Sequence, residues 1–264
     1  MNILYIGDVM GDMGLSAIEK VLPELRQERA IDVVIAQAEN ASDGKGLSVS
    51  DYGRLKQLGV DAMSGGDHTV DKPEIFPLLE NPSEPVVGPA NMRECPGPGY
   101  KYVEANGKRV LFISLLGGVV GRHAEREVDN PLKTIDEILH TETNEPKDAV
   151  VVNFHGDFSS EKLIVGHYLD GRVSMVVGDH WHVPTADVQV LPKGTAHMSD
   201  VGMCGSLDSS LGVSFGSVLP RWRDGMQTRN ELEMGGRTQF NALLVSVDEA
   251  SGKAISAEHI RRVW

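Results

Sequence analysis

The stretch Asn2-Ile3-Leu4-Tyr5-Ile6-Gly7-Asp8-Val9 decides the fold class, because an apolar run typical of a buried strand ends in a polar pair. Later apolar runs also end in side chains that can bind a metal ion. Such residues at successive strand ends of an α/β chain lie along one rim of a sheet, where open α/β sheets place their sites. The pattern therefore indicates a two-metal hydrolase. The later motifs are Glu39-Asn40, Gly66-Asp67-His68, His155 and Gly178-Asp179-His180-Trp181-His182.

Length and charge restrict the class of protein. The 264 residues fit one large domain or two small ones, with enough chain for a core of several layers. A formal charge of −13 argues against stable binding of nucleic acids, whose protein partners usually carry a basic surface. A small anionic substrate remains compatible with this charge, because bound metal cations dominate their local field.

The sequence indicates neither a membrane segment nor a disulfide framework. The chain begins on a strand-like run without a basic leader or a long apolar segment, so we predict a cytoplasmic protein with no membrane partner. The two cysteines, Cys95 and Cys204, are predicted to be free thiols. A homo-oligomer is compatible with the sequence, which does not decide the oligomeric state.

Short apolar runs alternate with amphipathic stretches, a pattern that predicts a sheet covered by helices. Apolar residues recur at helical spacing between Ile18 and Leu25 and predict a helix from about 14 to 28. The strands predicted from the apolar runs are 3–7, 32–38, 60–64, 149–153 and 173–177. The other predicted helices run from the cap Ser48 to Leu58, from Asn130-Pro131 to about 141, and from the cap Ser159 to near Gly171.

The middle and the end of the chain predict antiparallel pairing. Asn106-Gly107 separates the apolar runs 100–103 and 109–115, which is a strong signal for a tight hairpin, so the sheet is predicted to be mixed. No linker or repeat interrupts the chain, which predicts one α/β domain over 1–264 with an irregular insertion at 117–130. The C-terminal part is β-rich, with strands predicted at 187–191, 195–199, 241–247 and 253–260.

Taken in order, the strand-end motifs resemble those of the calcineurin-like metallophosphoesterase superfamily and, more narrowly, those of the YmdB-like phosphodiesterases of bacteria. The resemblance covers nearly the whole chain, and five motifs in order form a specific signal. It implies a four-layer α/β/β/α sandwich, a di-metal centre and hydrolysis of cyclic nucleotides, notably 2′,3′-cyclic AMP. The stretches that carry the narrower resemblance are Ile6-Gly7-Asp8-Val9, Ala38-Glu39-Asn40-Ala41, Tyr168 to Ser174, His182 to Asp187 and Thr195 to Met203.

Transferred position by position, the resemblance also implies a set of metal ligands and a mechanism. Oxygen and imidazole ligands of this kind suit iron or manganese, with zinc as a further candidate. The two ions would share a hydroxide that opens the cyclic phosphodiester by in-line displacement. His68 would stay off the metals and act as general acid on the leaving oxygen or as a donor to the phosphoryl group. The implied ligands are Asp8, Asn40 and His182 for one ion, Asp67, His155 and His180 for the other, and Glu39 as the bridge.

Three positions depart from the family pattern. Asp67 stands where Asn is usual, and the added carboxylate predicts tighter metal binding with a less acidic bridging water. Asn153 stands where Asp is common, and Asp179 stands where Thr is common. Neither is an implied ligand, so these two changes bear on the support behind the ligands and on substrate preference.

Each motif also has an ordinary structural explanation. A lone Asp8 would more often cap a helix or form a turn, and Glu39-Asn40 could simply start a polar loop. His180 and His182 could belong to a solvated strand edge, although the i,i+2 spacing aims both rings the same way. His155 alone is ambiguous. Only the combination of motifs favours ligands at all of these positions.

Several other residues are weaker candidates for a functional role. Arg122 could contact a phosphate, but a charged loop residue is usually just solvated. Trp181 could stack on a base, although packing explains it equally well. The remaining histidines are interpreted as ordinary surface or core residues: His123, His140, His167, His197 and His259.

Three other functions remain open at this level. The chain could be a metal-binding regulatory protein with weak or vestigial phosphoesterase activity, and only turnover decides this. It could be a nuclease, although the acidic charge counts against a polymeric substrate. It could also be a nucleotide-binding α/β protein without metal, which full occupancy of the purified protein by transition metals would exclude.

Overall fold

The computed structural model describes residues 1–121 and 126–264, so Arg122 and His123 lie outside the described residues. Two short 3-10 turns, Thr69–Asp71 and Pro73–Ile75, precede the third helix. The helices are α1 (Gly11–Glu28), α2 (Val49–Gln57), α3 (Phe76–Glu80), α4 (Pro131–Thr141), α5 (Ser159–Tyr168) and α6 (Phe215–Asp224). The strands are β1 (Asn2–Ile6), β2 (Asp8–Val9), β3 (Val33–Gln37), β4 (Ala62–Ser64), β5 (Val86–Val87), β6 (Tyr100–Ala105), β7 (Lys108–Leu116), β8 (Ala149–His155), β9 (Met175–Asp179), β10 (Gln189–Val190), β11 (Ala196–Met198), β12 (Met203–Ser206), β13 (Thr238–Val247) and β14 (Ala254–Val263).

The first sheet has eight strands and mixed directions. β1, β3, β4 and β5 are parallel neighbours in that order, and β13 pairs with β1 as an antiparallel strand. β13 also pairs with β12 and β14, and the short β2 lies beside β12 at the edge. Because β1, β3 and β4 are parallel neighbours, their carboxyl ends lie side by side along one edge of the sheet.

The second sheet has six strands in the order β10, β11, β9, β8, β7 and β6. The four inner strands are parallel, whereas β6 and β10 are antiparallel edges. The predicted hairpin at Asn106-Gly107 is confirmed, because β6 and β7 pair from Tyr100 with Ile113 down to Ala105 with Lys108. The prediction of mixed pairing is therefore correct for both sheets.

The two sheets pack face to face, and helices cover their outer faces. Ile3 and Tyr5 of β1 belong to the apolar cluster between the sheets. The alternating residues Leu4 and Ile6 belong instead to the cluster under α1 and α2. On the opposite side, α4 and α5 cover the second sheet, with Ile135 fully buried there. The expected four-layer α/β/β/α sandwich is confirmed.

The local signals for helix starts are right in two cases and wrong in one. The Ser48 hydroxyl accepts from the N–H of Asp51, and the Asn130 side chain caps α4 as predicted. Ser159 does not cap α5, because the N–H of Lys162 bonds to the carbonyl of Phe158 and the helix therefore begins one residue earlier. Phe158 is the cap residue and makes no side-chain capping bond.

The C-terminal part contains a helix that the β-rich interpretation of this region missed. α6 includes Gly216 and Pro220, both poor helix formers, so its local sequence predicts a loop. The helix forms because Val218 packs into a small cluster with Val213 and neighbouring methionines. In the part of the chain that the structure describes, no helix is long and apolar enough to cross a membrane.

Candidate metal centre

The predicted ligands meet at the carboxyl ends of strands from both sheets. They follow β1, β3 and β4 of the first sheet and lie at or just after the ends of β8 and β9 of the second. Parallel strands bring residues that are distant in sequence to a common edge in this way. All of these side chains are buried or half-buried. They are Asp8, Glu39, Asn40, Asp67, His155, His180 and His182.

Four of these residues form a tight cluster that we name the closed half of the site: Glu39, Asp67, His155 and His180. One ligand atom of each lies within 4.8 Å of the others. The Nε2 atom of His155 is central, at 2.9 Å from Glu39 Oε1 and 3.1 Å from Asp67 Oδ1. His180 Nδ1 lies 2.8 Å from the same nitrogen. Residues from distant parts of the chain thus share one small space.

The outer nitrogens of both rings face carboxylates. His155 Nδ1 is hydrogen-bonded to Asp179 Oδ1 at 2.7 Å, and His180 Nε2 lies 3.3 Å from Asp157 Oδ1. An ionised carboxylate only accepts, so Nδ1 carries the proton of neutral His155, and the charge of Asp157 favours the proton of His180 on Nε2. The inner nitrogens then present lone pairs. Two imidazole lone pairs and two carboxylate oxygens then face one another. This set of convergent acceptors fits a bound metal cation.

The charges of the closed half shift the pKa values of its members. Burial alone would lower the pKa of His155, but the surrounding carboxylates, above all Glu39, raise it well above its usual value. Burial alone would raise the pKa of Asp67, but the hydrogen bond and charge of His155 lower it. Burial, reinforced by the charge of His155, lowers the pKa of His180 to about 3. His180 is therefore a neutral imidazole, the form that binds metal ions.

The remaining ligands, Asp8, Asn40 and His182, form what we name the open half, where the atoms lie farther apart. His182 Nε2 is 3.6 Å from Asp8 Oδ1 and 3.4 Å from Asn40 Nδ2. His182 Nδ1 donates to the carbonyl of Leu211 at 3.0 Å, so Nε2 carries the lone pair. Asn40 turns its amide nitrogen towards His182, and half a turn of the amide would present the oxygen instead.

One carboxylate oxygen of the open half is orphaned. Among the described residues, buried Asp8 Oδ1 has no hydrogen-bond partner. Burial and the nearby carboxylate of Asp179 raise the pKa of Asp8 well above its usual value. A buried carboxylate oxygen without a donor, facing the lone pair of His182, is costly for the protein alone and suits a cation.

Glu39 and Gly66 connect the strand ends at the centre of the site. Glu39 Oε1 faces His155, whereas its Oε2 accepts the backbone N–H of Gly66 at 2.5 Å. A Cβ atom at position 66 would overlap the His155 ring. Glycine therefore begins this motif because any side chain would collide with His155.

His68 lies beside the closed half and outside its group of four. Its backbone N–H donates to Glu39 Oε2 at 3.0 Å, and its ring Nδ1 lies 2.7 Å from Asp71 Oδ2. Asp71 is also paired with Arg126 and Lys45. The His68 side chain is 32% exposed, in contrast to the buried His155. With Nδ1 bonded to Asp71, Nε2 is the ring nitrogen that can exchange a proton with a substrate.

Asp179 lies directly behind His155, and the sequence singled it out only as a departure from the family pattern. Its Oδ2 accepts from the Tyr5 hydroxyl at 2.6 Å and from Asn153 Nδ2 at 2.5 Å. The departures at positions 153 and 179 are therefore in direct contact. A carboxylate behind a histidine fixes the ring orientation and its tautomer.

Sequence reasoning missed four charged residues around the ligands. Asp71 follows His68 by three residues and Asp157 follows His155 by two, so their proximity to motifs could have identified them. Lys162 lies outside every motif, and Asp200 lies in the stretch Thr195 to Met203 that carries the family resemblance, but no signal in the sequence connects the two. The missed residues are Asp71, Asp157, Lys162 and Asp200.

Comparison with known proteins places this geometry in context. The family model described as YmdB-like protein matches residues 4–260. A protein of Bacillus subtilis (strain 168) named 2′,3′-cyclic-nucleotide 2′-phosphodiesterase is 38% identical over 98% of this chain and 96% of its own length.

Two solved structures are also similar over the whole of this chain. A novel phosphatase from Mycoplasma pneumoniae has a TM-score of 0.90 and 31% identity, with 100% of this chain and 93% of that chain covered. A hypothetical protein from Thermus thermophilus has a TM-score of 0.88 and 38% identity, with 100% of this chain and 99% of that chain covered. The similarity thus extends over the whole four-layer fold.

Proposed function

This chain belongs to the YmdB-like protein family, and on that premise we propose that it is a dinuclear metal-dependent phosphodiesterase that hydrolyses cyclic nucleotides. The name of the Bacillus subtilis relative makes 2′,3′-cyclic AMP the first substrate to test. The proposal treats all 264 residues as one metallophosphoesterase domain that works in the cytoplasm.

The observation that carries the proposal is the convergence of acceptors in the closed half. Glu39 Oε1, Asp67 Oδ1 and His180 Nδ1 all lie within 3.1 Å of His155 Nε2. One proton on that nitrogen cannot serve three acceptors at once, whereas a cation can be shared by all four groups. The orphaned Asp8 Oδ1 gives independent support for a cation in the open half.

The two halves define which residues would hold each ion. In this proposal, Asp67, His155 and His180 would hold one ion, Asp8, Asn40 and His182 would hold the other, and Glu39 would bridge the two. Bound ions would supply the positive charge that activates water and stabilises the phosphoryl oxygens. The mixture of carboxylate, amide and imidazole groups favours iron or manganese and admits zinc.

His68 would complete the reaction by protonating the leaving oxygen. Water would add to phosphorus and release one proton to solvent, one ester P–O bond of the ring would break, and the released ribose oxygen would take the proton from His68 Nε2. His68 would then regain a proton from solvent, so that one water is consumed in each turnover. Asp71 would hold the opposite nitrogen of this ring, which keeps Nε2 directed at the substrate during the transfer. The product is a phosphomonoester, so neither a covalent intermediate nor a Ser or Cys nucleophile is needed.

The charge of the protein supports a small substrate. With a net charge of −13, the surface as a whole would repel a long polyphosphate backbone. Attraction would come only from the ions in the site, which suits a mononucleotide. The negative charge therefore argues against a nuclease activity for this chain.

Turnover is the direct test. Metal-free protein is reloaded with manganese, iron or zinc, and hydrolysis of 2′,3′-cyclic AMP, 3′,5′-cyclic AMP and a chromogenic phosphodiester is measured. We expect metal-dependent turnover, fastest with 2′,3′-cyclic AMP. Chelated protein and the Asp8→Ala variant serve as controls, and both should be inactive.

The outcomes separate the candidate functions. Turnover that disappears in both controls supports the two-metal phosphodiesterase and ranks its substrates. Folded protein that carries two ions but hydrolyses none of the three would instead favour a metal-binding regulatory protein. Protein that binds no transition metal would refute the site itself.

A further inference from the structure

A buried ion pair lies directly behind the His180-Trp181-His182 loop and outside the proposed ligand set. Lys162 projects from α5, and its Nζ lies 2.9 Å from Asp200 Oδ2. The side chains of both residues have no exposed surface. Asp200 lies between β11 and β12 and also accepts the N–H of Gly202 at 2.9 Å.

The two partners bind the peptide groups on either side of His180. Lys162 Nζ donates to the carbonyl of Asp179 at 2.6 Å, which belongs to the peptide before His180. Asp200 Oδ2 accepts the N–H of Trp181 at 2.8 Å, which belongs to the peptide after His180. The ammonium also lies 4.1 Å from the centre of the Trp181 ring. One ion pair therefore holds both peptide planes that define the backbone of His180.

The backbone of His180 needs this support because it is strained. Its φ is 105°, and that of His182 is 61°, in the region that residues with a Cβ rarely adopt. Such a conformation persists only where the surroundings enforce it, and it often occurs at functional sites. With this backbone conformation, just after the end of β9, the His180 ring faces His155.

Stability alone is a weak reason for this pair. Removing two charges from water costs about as much as their attraction returns, so well-packed apolar replacements are often neutral or stabilising. The pair is therefore better explained by the geometry that it holds than by the stability that it adds.

On the basis of the proposed two-metal site, we infer that Lys162 and Asp200 are positioning residues that fix His180 as a ligand of the closed half. They touch neither substrate nor metal and act through the two peptide groups. The pair adds no net charge behind the ions. Loss of the pair should therefore lower the affinity for the ion that His180 would hold, while the ion of the open half stays bound.

The test replaces both partners at once, as Lys162→Met/Asp200→Leu, so that no buried charge is left alone. The variant and the wild-type protein are titrated with Mn²⁺, and bound metal is counted after gel filtration. We expect two ions in the wild type and one in the variant, with the second ion bound about 10–100-fold more weakly. Electron paramagnetic resonance gives a second measurement, because a coupled Mn²⁺ pair should change to an isolated ion.

Lys101→Met is the matched control. Lys101 is also buried, but its ammonium donates to the carbonyls of Leu78, Asn81 and Glu84, away from the proposed ligands. Its loss should lower the melting temperature and leave two coupled ions. If the control also loses one ion, the effect is a general loss of stability and the inference is wrong.

The remaining outcomes are also decisive. A folded double variant that keeps two coupled ions at wild-type affinity would overturn the inference while leaving the proposed function intact. Wild-type protein that never binds two ions would refute the two-metal site and the inference together. If the double variant does not fold, Lys162→Met replaces it. This change removes the donor to the Asp179 carbonyl and leaves Asp200 bonded to the N–H groups of Trp181 and Gly202. Unchanged affinity for the second ion would then overturn the inference.

Discussion

The closed and open halves of the site differ in how closely their ligand atoms approach one another. In the closed half, His155 Nε2 lies within 3.1 Å of three other ligand atoms, so one shared proton can offset part of their repulsion when no cation is bound. In the open half, Asp8 and His182 are 3.6 Å apart, and Asp8 Oδ1 has no partner among the described residues. The closed half is preorganised, whereas the open half depends on its ion.

The difference follows from the number of protons available. His155 has a raised pKa and can share its proton with Glu39 and Asp67. His182 gives its only neutral-state proton to the carbonyl of Leu211, and burial lowers the pKa of the ring. Neutral His182 therefore has no N–H left to donate to Asp8. A metal-free protein should keep the closed half ordered and carry an electrostatic penalty in the open half.

The largest effect is expected from Asp67→Ala, which breaks the closed half. Removal of a residue that only supports a ligand typically lowers activity about 10–100-fold. Asp67 is itself a proposed ligand, so its removal should lower turnover by more than this. Metal analysis should give one ion in place of two. Two retained ions would show that Asp67 is not a ligand and that the closed half forms without it.

His68→Ala should be nearly as severe for turnover but should spare the metals. A lost general acid typically lowers kcat by about 10²–10⁴-fold. The backbone N–H of residue 68 still donates to Glu39 in this variant, so the bridge is intact. Metal content and kcat are measured on the same sample. Metal loss as complete as that in Asp67→Ala would refute the assignment of separate roles.

Asp179→Ala tests the comparison further, because Asp179 bonds directly to His155 of the closed half and acts on Asp8 of the open half only through its charge. We expect the affinity for the ion of the closed half to fall about 10–100-fold and the affinity for the other ion to change much less. Calorimetric titration of metal-free protein resolves the two sites. Tyr5→Phe, which removes one donor to Asp179, should have a smaller effect in the same direction. Equal weakening of both sites would contradict the division into halves.

The smallest effect is expected from Asp8→Asn in metal-free protein, and it concerns stability. Asp8 is fully buried with one unsatisfied oxygen, so the neutral amide should raise the free energy of unfolding by about 1–3 kcal/mol at neutral pH. The same variant should lose turnover. Denaturant unfolding in the presence of a chelator measures the change.

The pH dependence of this stability has a definite sign. The pKa of Asp8 is raised in the folded protein from its usual 3.8, so the folded state binds the proton more tightly than the unfolded chain. The contribution of Asp8 to stability is complete below about pH 4 and is lost as the pH rises through the raised pKa. Asp8→Asn should flatten this slope. An unchanged slope would mean that Asp8 is not the group responsible.

Much of the fold and the choice of candidate ligands could be predicted from local patterns. Apolar runs mark the central strands, because strands buried on both faces leave no room for polar side chains. Asn106-Gly107 marks its hairpin, because few other residue pairs tolerate that turn. α6 is harder to predict: Ser214 caps it and Gly225 ends it, but Gly216 and Pro220 oppose a helix, and packing around Val218 offsets this cost.

Local sequence patterns are enough to identify the side chains that end the strands, and so the ligands that are available at the rim, because strand patterns and turn preferences act over a few residues. They do not reveal that His155 faces His180, that Asp179 supports His155, or that Lys162 and Asp200 hold the loop after β9. Those contacts depend on how two sheets and a helix pack, and no local pattern encodes distances between elements that meet only in the folded protein.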